Sequence, residues 1–380
     1  MTIYLDNAAT SFPKPESVYR ALDRFARSDL ANPGRAGHRM ALAAERALDD
    51  CRHTLNQFFH GQGPERFVFT LNCTDGLNMA FKGVLREGDH VITTDLEHNS
   101  VSRPLRQMEL DGKITLTRLK ADPGGTLDPD EVKKALKPTT RLIAMTHASN
   151  VLGTVQPVAE VGRIARARDL LFLVDVAQTA GVVPIDVQAM LIDLLAFPGH
   201  KSLLGPTGTG ALYVGPRATV GAWREGGTGG DSSSETQPKE FPHFLEGGTP
   251  NVLGVAGLKA GVEFVQEKGP DAIRQHEVEL CERLWRRLEE IGGYTMFGHR
   301  DHTRRVGALS FRSEALAAPE IGGILDQSFD IAVRPGLHCA PYIHRSIGTF
   351  PEGAVRVSPG PFSTAADIDA LAAALAEIAG

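Results

Sequence analysis

The strongest constraint on the fold is a regular alternation of short apolar runs and amphipathic segments between residues 66 and 215. Seven runs have the length and apolar character of buried strands: RFVFT, HVITT, KITLTRL, RLIAMTH, LLFLVDV, DLLAF and GALYVG. Segments between them, such as LDPDEVKKALKP, carry apolar residues at helical spacing, with acidic starts and basic ends that suit the helix dipole. This alternation indicates an α/β domain with a largely parallel central sheet.

The remainder of the chain predicts a smaller α+β domain. A long amphipathic helix is indicated by RQHEVELCERLWRRLEEI, followed by the strand-like runs RRVGALSFRS, DIAVRPG and AVRVSPG and by a capped terminal helix in STAADIDALAAALAEIAG. Residues 225–240 are rich in glycine, serine and charge, which predicts a mobile loop rather than a domain linker. A length of 380 residues favours two or three domains.

Composition excludes several classes of partner. Forty Lys and Arg against 46 Asp and Glu give a formal net charge of −6, without long basic runs, so nucleic acid and anionic membranes are poor partners. The start, MTIYLDNAATSFPKP, lacks the features of a signal peptide, and no run approaches the ~18 apolar residues of a membrane span. Four widely spaced cysteines predict neither a disulfide framework nor a zinc site. We expect a soluble cytoplasmic protein without a metal.

One of these cysteines, Cys339, lies in the unusual stretch VRPGLHCAPY. Pro335 and Gly336 predict a loop without regular structure, in which a thiol would be reachable from solvent. The thiolate is the reactive form of cysteine, and the positive charge of Arg334 would favour it. His338 would act in the same way or be a solvated loop histidine, and the sequence leaves both interpretations open.

A lysine and an aspartate follow two strand-like runs. Asp175 stands at the end of FLVD, and Lys201 follows DLLAFPGH. Open α/β sheets bind ligands outside the carboxyl ends of their strands. A lysine that can form a Schiff base and a carboxylate that keeps a pyridine nitrogen protonated are the groups that pyridoxal 5'-phosphate needs. On spacing alone, a turn-capping aspartate and a solvated surface lysine remain an alternative.

Two further motifs suit the same cofactor. Thr74 in TLNCTDGLN stands at a strand-to-helix junction, where free amide donors and the helix dipole favour a phosphate. His98 in DLEHNS follows another strand-like run and could stack on a flat ring. Each signal is weak alone, and their accumulation favours pyridoxal phosphate.

These motifs resemble those of the class V aminotransferase family, in particular its group II (SufS-like) cysteine desulfurases. The resemblance runs from YLDNAAT to AVRVSPGPFST and is specific at NPGRAGH, TLNCTDGLN, TDLEHNS, HASNVLGT, DVAQTAG, GHKSLLGPTGTGALYVG, EGGTPN and VRPGLHCAP. It implies the PLP-dependent transferase fold-type I, with a seven-stranded, mostly parallel sheet in a large domain, residues 15–255. A small α+β domain would combine residues 1–14 and 256–380. The resemblance also implies a homodimer with active sites at the interface.

The resemblance implies roles for individual residues of the cofactor site. Lys201 would carry the cofactor as a Schiff base, Asp175 would pair with its pyridine nitrogen, and Gln178 would hydrogen-bond its phenolic oxygen. His98 would stack on the ring and move protons. The phosphate would be bound by Thr74, His200 and, from the other subunit, Thr249.

Other residues would bind the substrate. The resemblance implies that Asn150 and Arg356 hold its α-carboxylate, with Arg334 near the substrate or the thiol. His38 resembles a residue at the active-site mouth, although a histidine that starts a helix is an equal alternative. Pro198 departs from the family, in which serine or threonine is frequent at this position, so a phosphate contact is expected to be lost.

The implied activity is conversion of L-cysteine to L-alanine, with the sulfur passing as a persulfide on Cys339 to an acceptor protein. The acceptor could be a SufE-like carrier, an iron–sulfur scaffold or a tRNA-thiolation protein. A selenocysteine lyase is the nearest alternative, because it shares the fold, the cofactor and often the cysteine. Other class V enzymes need no cysteine in this loop. A non-catalytic scaffold is disfavoured because Lys201, Asp175, His98 and Arg356 are all retained.

Overall fold

The computed structural model describes residues 2–34, 37–228 and 233–379. Its helices are α1 (Glu16–Ser28), α2 (Arg39–Phe58), α3 (Cys73–Val84), α4 (Asn99–Leu110), α5 (Pro129–Lys134), α6 (Val158–Ala167), α7 (Val252–Lys268), α8 (Pro270–Ile291), α9 (Ala318–Phe329), α10 (Pro341–Ser346) and α11 (Ala365–Ala379). Its strands are β1 (Ile3–Tyr4), β2 (Phe67–Thr70), β3 (Asp89–Thr94), β4 (Ile114–Leu119), β5 (Thr140–Thr146), β6 (Leu171–Asp175), β7 (Leu194–Pro198), β8 (Gly210–Val214), β9 (Tyr294–Phe297), β10 (Leu309–Ser313), β11 (Ile331–Ala332), β12 (Arg334–Gly336) and β13 (Ala354–Val357).

The seven predicted strands form one sheet in the order β2-β8-β7-β6-β5-β3-β4. Strand β8 is antiparallel to both of its neighbours, and the pairs among β3 to β7 are parallel. The predicted fold class, an α/β fold with a seven-stranded and mostly parallel sheet, is therefore confirmed.

Both faces of this sheet are buried, which explains why its strands are continuously apolar. In β6, Phe172 and Val174 join a core that includes residues of α2, α6 and α7. Leu171 and Leu173 point to the opposite face and join a second core with residues of α3 and α4. The parallel strands all end at the same edge, where the polar residues of the motifs follow them.

A second group of elements contains a four-stranded antiparallel sheet in the order β12-β13-β10-β9. Strand β1 pairs in parallel with β11, and Leu5 shares a core with Leu284 of α8 and Leu371 of α11. The two ends of the chain therefore pack together. The boundary at residue 255 stays a prediction. Since Leu258 and Val262 of α7 belong to a core of the large sheet, the packing favours a later boundary, after Lys268.

Residues 225–240 contain no helix or strand where they are described, and residues 229–232 of the predicted mobile loop lie outside the described residues. All four cysteines are free, as the absence of a disulfide framework predicts. Within the described ranges, no helix is long and apolar enough to cross a lipid bilayer.

Candidate active site

A cavity of about 200 Å³ lies at the carboxyl ends of the parallel strands. Five of the strands deliver polar residues to it through the segments that follow them, as expected for an open α/β sheet. Nine of the predicted site residues line it: Thr74, His98, Asn150, Asp175, Gln178, His200, Lys201, Arg334 and Arg356. Residues far apart in the sequence are thus brought together in one small space.

Asp175 and Lys201 are the charged pair in the floor of this cavity. Asp175 is 3 % exposed, and burial raises the pKa of its carboxyl group. Burial lowers the pKa of the Lys201 ammonium, and the nearby Asp175 carboxylate offsets part of that change. The sequence did not predict that the Cys73 thiol donates a hydrogen bond to Asp175 Oδ1 at 3.4 Å. An amine with a lowered pKa next to a buried carboxyl group is typical of catalytic sites.

The N-terminal segment holds the turn that carries Lys201. Ser11 Oγ donates to the Lys201 carbonyl at 2.9 Å, and Lys14 Nζ donates to the His200 carbonyl at 2.9 Å. Gly181 packs against the other side of the same turn, with φ at +107°. A Cβ there would lie 2.2 Å from the Ser202 carbonyl oxygen, so only glycine permits this approach. None of these contacts follows from local sequence patterns.

His98 and Thr74 meet through Ser100. His98 is the N-cap of α4, because its Nδ1 accepts a hydrogen bond from the Ser100 backbone N–H at 3.1 Å. Thr74 is in the first turn of α3 and Ser100 is in the first turn of α4. Thr74 Oγ1 lies 2.7 Å from Ser100 Oγ. Burial, followed by the charge of Lys201, lowers the pKa of His98 to about 3. The imidazole is therefore neutral at physiological pH, with its proton on Nε2.

Arg356 is buried and already holds one carboxylate. Its side chain is 1 % exposed, its Nη2 donates to Asp6 Oδ1 at 2.6 Å, and its Nη1 donates to the Asn150 carbonyl at 3.1 Å. Its Nε is buried without a partner among the described residues. Arg356 itself lines the cavity, so its guanidinium has one donor that no described residue uses. Asp6 was not recognised from the sequence, because its partner lies 350 positions away.

Cys339 lies beside the cavity rather than in its wall. Its Sγ accepts a hydrogen bond from Arg334 Nη2 at 3.6 Å, and the residue is half-buried. The prediction that Pro335 and Gly336 exclude regular structure is wrong, since β12 covers both residues and pairs with β13. Strand β12 lies at the edge of its sheet and pairs with one neighbour only, β13. Proline is tolerated in such a strand, because its missing N–H can face the side that has no neighbouring strand.

Both interpretations of His338 are wrong. The side chain is 3 % exposed and hydrogen-bonded, so it is not a solvated loop histidine. Burial, and then the charge of Arg356, lowers the pKa of His338 well below its usual value, so it offers no positive charge to the thiol. Arg334 supplies a cation to Cys339 through its Nη2.

Besides Cys339, two predicted residues do not line the cavity. Thr249 lines a broad surface depression of about 1110 Å³, to which Gly37 also contributes. His38 adjoins Gly37 and caps α2 by accepting from the Ala41 backbone N–H at 3.2 Å. Neither residue lines the cavity of its own chain, so the role of Thr249 in a second subunit and that of His38 at the active-site mouth stay predictions. The capping bond of His38 agrees with the alternative of a histidine that starts a helix.

The profile of the aminotransferase class-V family matches residues 3–371. This chain belongs to that family. Class-V aminotransferases use pyridoxal 5'-phosphate, and the family accounts for the lysine and aspartate at neighbouring strand ends.

Relatives within the family carry a consistent name. A probable cysteine desulfurase of Methanothermobacter thermautotrophicus is 37 % identical, over 100 % of this chain and 95 % of the relative. A probable cysteine desulfurase of Halalkalibacterium halodurans is 35 % identical, over 98 % of this chain and 92 % of the relative. The apo structure of the cysteine desulfurase from Thermococcus onnurineus has a TM-score of 0.93 at 32 % identity, covering 99 % of this chain and 94 % of that one. The fold-type I architecture of the class-V family is thus shared along the whole chain.

Proposed function

We propose that this chain is a cysteine desulfurase of the SufS-like group that converts L-cysteine to L-alanine and retains the sulfur on Cys339. The observation that carries the proposal is the half-buried Cys339 thiol, bonded to Arg334 and adjoining a cavity that contains a buried lysine and aspartate. A class-V enzyme that only rearranges amino groups has no use for a thiol in this position. The names of the relatives agree with this function.

The cavity fits pyridoxal 5'-phosphate. His200 Nδ1 is buried without a partner in the described part of the chain, which leaves a ring nitrogen for an absent polar group. Thr74, at the start of α3, and His200 would bind the phosphate, while Asp175 would pair with the pyridine nitrogen. Gln178, whose Nε2 donates to the Ala8 carbonyl at 3.1 Å, has a second amide hydrogen for the phenolic oxygen. Bound there, the cofactor would hold the substrate amino group and accept an electron pair from the α-carbon.

Lys201 would move the proton at the α-carbon. An amine can take a proton only when it is neutral, and burial shifts the Lys201 equilibrium towards that form. His98 is neutral as well, so it contributes a flat ring and an Nε2–H donor without repelling a cationic neighbour. Lys201 and His98 would therefore both act in their neutral forms at the same pH, and neither would place a positive charge beside the other.

Cys339 would take the sulfur. The thiolate attacks the sulfur of the bound substrate, a sulfur–sulfur bond forms, and the carbon–sulfur bond breaks with its electron pair left on carbon. Protonation of that carbon yields alanine, so one cysteine and one thiol give one alanine and one persulfide. Arg334 is positioned to stabilise the anionic thiolate. A half-buried thiol can meet the substrate on one side and an acceptor on the other.

Arg356 would hold the α-carboxylate of the substrate through the Nε donor that has no partner, assisted by Asn150. We expect Arg356→Lys to raise KM for L-cysteine by about 10- to 100-fold, because the donors of an ammonium all lie on one nitrogen and do not span Asp6, Asn150 and a carboxylate as the planar guanidinium does. Steady-state alanine assays over a range of cysteine concentrations measure this change. Arg283→Lys, which alters an exposed ion pair with Asp369, serves as the control and should leave KM unchanged.

The proposal includes partners and a location. A homodimer would bring Thr249 to the cavity of the other subunit, which accounts for its place on a broad surface depression, and His38 would lie near the mouth of the active site. A sulfur-acceptor protein, either a SufE-like carrier or an iron–sulfur scaffold, would take the persulfide sulfur from Cys339. Four free cysteines suit a reducing, cytoplasmic compartment.

The direct test is to mix the purified protein with L-cysteine and to quantify alanine and the mass of the Cys339 peptide. We expect alanine to form and the peptide to gain one sulfur atom, with the gain removed by a reducing thiol. In a parallel reaction with L-selenocysteine, brisk turnover combined with no alanine from cysteine would indicate a selenocysteine lyase instead. Absence of turnover with both substrates would point to a non-catalytic scaffold.

A further inference from the structure

A buried pair of histidines lies directly behind the Cys339 turn. His338 and His344 are 3 % and 0 % exposed, and His338 Nδ1 lies 3.2 Å from His344 Nε2. The outer nitrogens are also paired: His338 Nε2 lies 2.9 Å from the Arg334 carbonyl, and His344 Nδ1 lies 2.7 Å from Thr349 Oγ1. The three contacts form an unbroken chain from Thr349, through the two rings, to the backbone of Arg334, whose guanidinium contacts the thiol.

Only one arrangement of protons satisfies this chain when both rings are neutral. A carbonyl can only accept, so His338 carries its proton on Nε2 and its Nδ1 is an acceptor. His344 must then donate from Nε2, and its Nδ1 accepts from the Thr349 hydroxyl. A proton added to His338 Nδ1 would place one N–H against another. The Arg334 carbonyl therefore fixes the tautomer of His338, and the donor from His344 holds the other side of the ring and so fixes its orientation.

The turn held by this chain of hydrogen bonds has a strained backbone. His338 and Cys339 both have positive φ, +49° and +56°, and the Ala340 N–H donates to the Leu337 carbonyl at 2.8 Å across them. This is the pattern of a type I′ turn, which normally takes glycine or asparagine at its centre. Such a turn persists with other residues only when its surroundings fix it.

The surroundings hold both peptide carbonyls of the turn as well as the His338 ring. Asn150 Nδ2 donates to the His338 carbonyl at 2.7 Å, and the Asn99 backbone N–H donates to the Cys339 carbonyl at 2.7 Å. The His338 ring is bound at both nitrogens, and its inner contact comes from His344. Without that contact the side chain could rotate and the turn could relax.

We propose that His344 is a positioning residue, whose hydrogen bond to His338 Nδ1 holds that ring in one orientation and thereby keeps the Cys339 thiol against the Arg334 guanidinium. The inference rests on the proposed function for its purpose, since it explains how the sulfur-accepting thiol is held. Electrostatics agree with a neutral pair. Burial lowers the pKa of His344 to about 4, and the charges that face His338 are the cations Arg356 and Arg334, which further oppose protonation.

Alkylation of the thiol by two reagents of different charge tests this position. Iodoacetate is anionic and is attracted by the Arg334 guanidinium, whereas iodoacetamide is neutral, so the ratio of their rates at Cys339 reports the contact independently of accessibility. We expect His344→Leu to lower this ratio about threefold or more, towards the value of an Arg334→Gln reference. His344→Gln retains an amide donor towards His338 and should keep the wild-type ratio.

The rates are measured by mass spectrometry of the Cys339 peptide in protein carrying its cofactor. His90→Leu is the matched control, because His90 is also buried and bonded through both nitrogens, to Thr140 and Thr117, yet lies inside the large sheet. It should reduce stability without changing the ratio. A folded His344→Leu variant with the wild-type ratio, or a His344→Gln variant that behaves like leucine, would overturn the inference.

Histidine-selective ¹⁵N NMR of the unaltered protein gives a second test that does not depend on how a variant folds. We expect both rings to be neutral with the proton on Nε2 at pH 7, and a proton on Nδ1 of either ring would contradict the chain of donors. Neither measurement uses cysteine as a substrate. A protein that makes no alanine but shows these results refutes only the proposed function, whereas an active protein without them refutes only the role of His344.

Discussion

Cys339→Ala should reduce alanine formation from L-cysteine by about 10³-fold or more, because it removes the group that accepts the sulfur. Without a thiolate beside the cavity, the carbon–sulfur bond of the bound substrate has no nucleophile to break it. The substitution removes only a half-buried sulfur at the edge of the site, so folding and cofactor binding should be retained. The visible absorbance of the cofactor, measured alongside alanine, checks that the site is intact.

Cys51→Ala is the matched control for this prediction. Cys51 is fully buried in α2, and burial raises the pKa of its thiol to about 12, so it is neither accessible nor ionised. Its loss should lower stability and leave alanine formation per folded molecule unchanged. Full activity of Cys339→Ala with cysteine would remove the basis for a persulfide. Selenide release that survives the substitution, with loss of turnover of cysteine only, would agree with the sulfur-transfer role, since selenide leaves without a thiol.

Residues at strand ends were predictable from the sequence. Thr74, His98, Asp175 and Lys201 each follow a strand-like apolar run, and parallel strands bring their carboxyl ends to one edge of the sheet. The periodicity of the runs therefore predicted both the sheet and the position of the cavity. These inferences needed no knowledge of contacts between distant segments.

Contacts across long stretches of sequence were not predictable in this way. Asp6 reaches Arg356 only because β1 is paired with β11 and the Asp6 backbone bridges to Ser358. Pro335 and Gly336 were assigned to a loop, although they end the strand-like run DIAVRPG, because local rules for proline and glycine ignore the pairing of β12 with β13. The environment of His338 depended on a buried partner in α10. In each case the deciding interaction is tertiary, and it overrides the local preference.

Lys201→Ala should abolish turnover, with a loss of about 10⁴-fold or more, and should remove the visible absorbance of the lysine-bound cofactor. Lys201 is the amine in this cavity that lies beside a buried carboxylate, and burial shifts it towards its neutral form. Removing it also removes a charge that lowers the pKa of Asp175, so that carboxyl group would protonate more readily. The variant therefore loses the attachment of the cofactor and part of the charge on its pyridine partner.

Lys201→Arg separates these two effects. A guanidinium keeps a positive charge next to Asp175, but it stays protonated at all accessible pH values and cannot serve as the nucleophile or the base. We therefore expect Lys201→Arg to be as inactive as Lys201→Ala, while Lys82→Ala, at an exposed position in α3, keeps full activity. Alanine formation and absorbance spectra of the three variants show whether activity needs the neutral amine of Lys201 or only a positive charge at this position. Substantial activity in Lys201→Arg would mean that the cation at this position matters more than its neutral amine, and that the proton at the α-carbon is moved by another group.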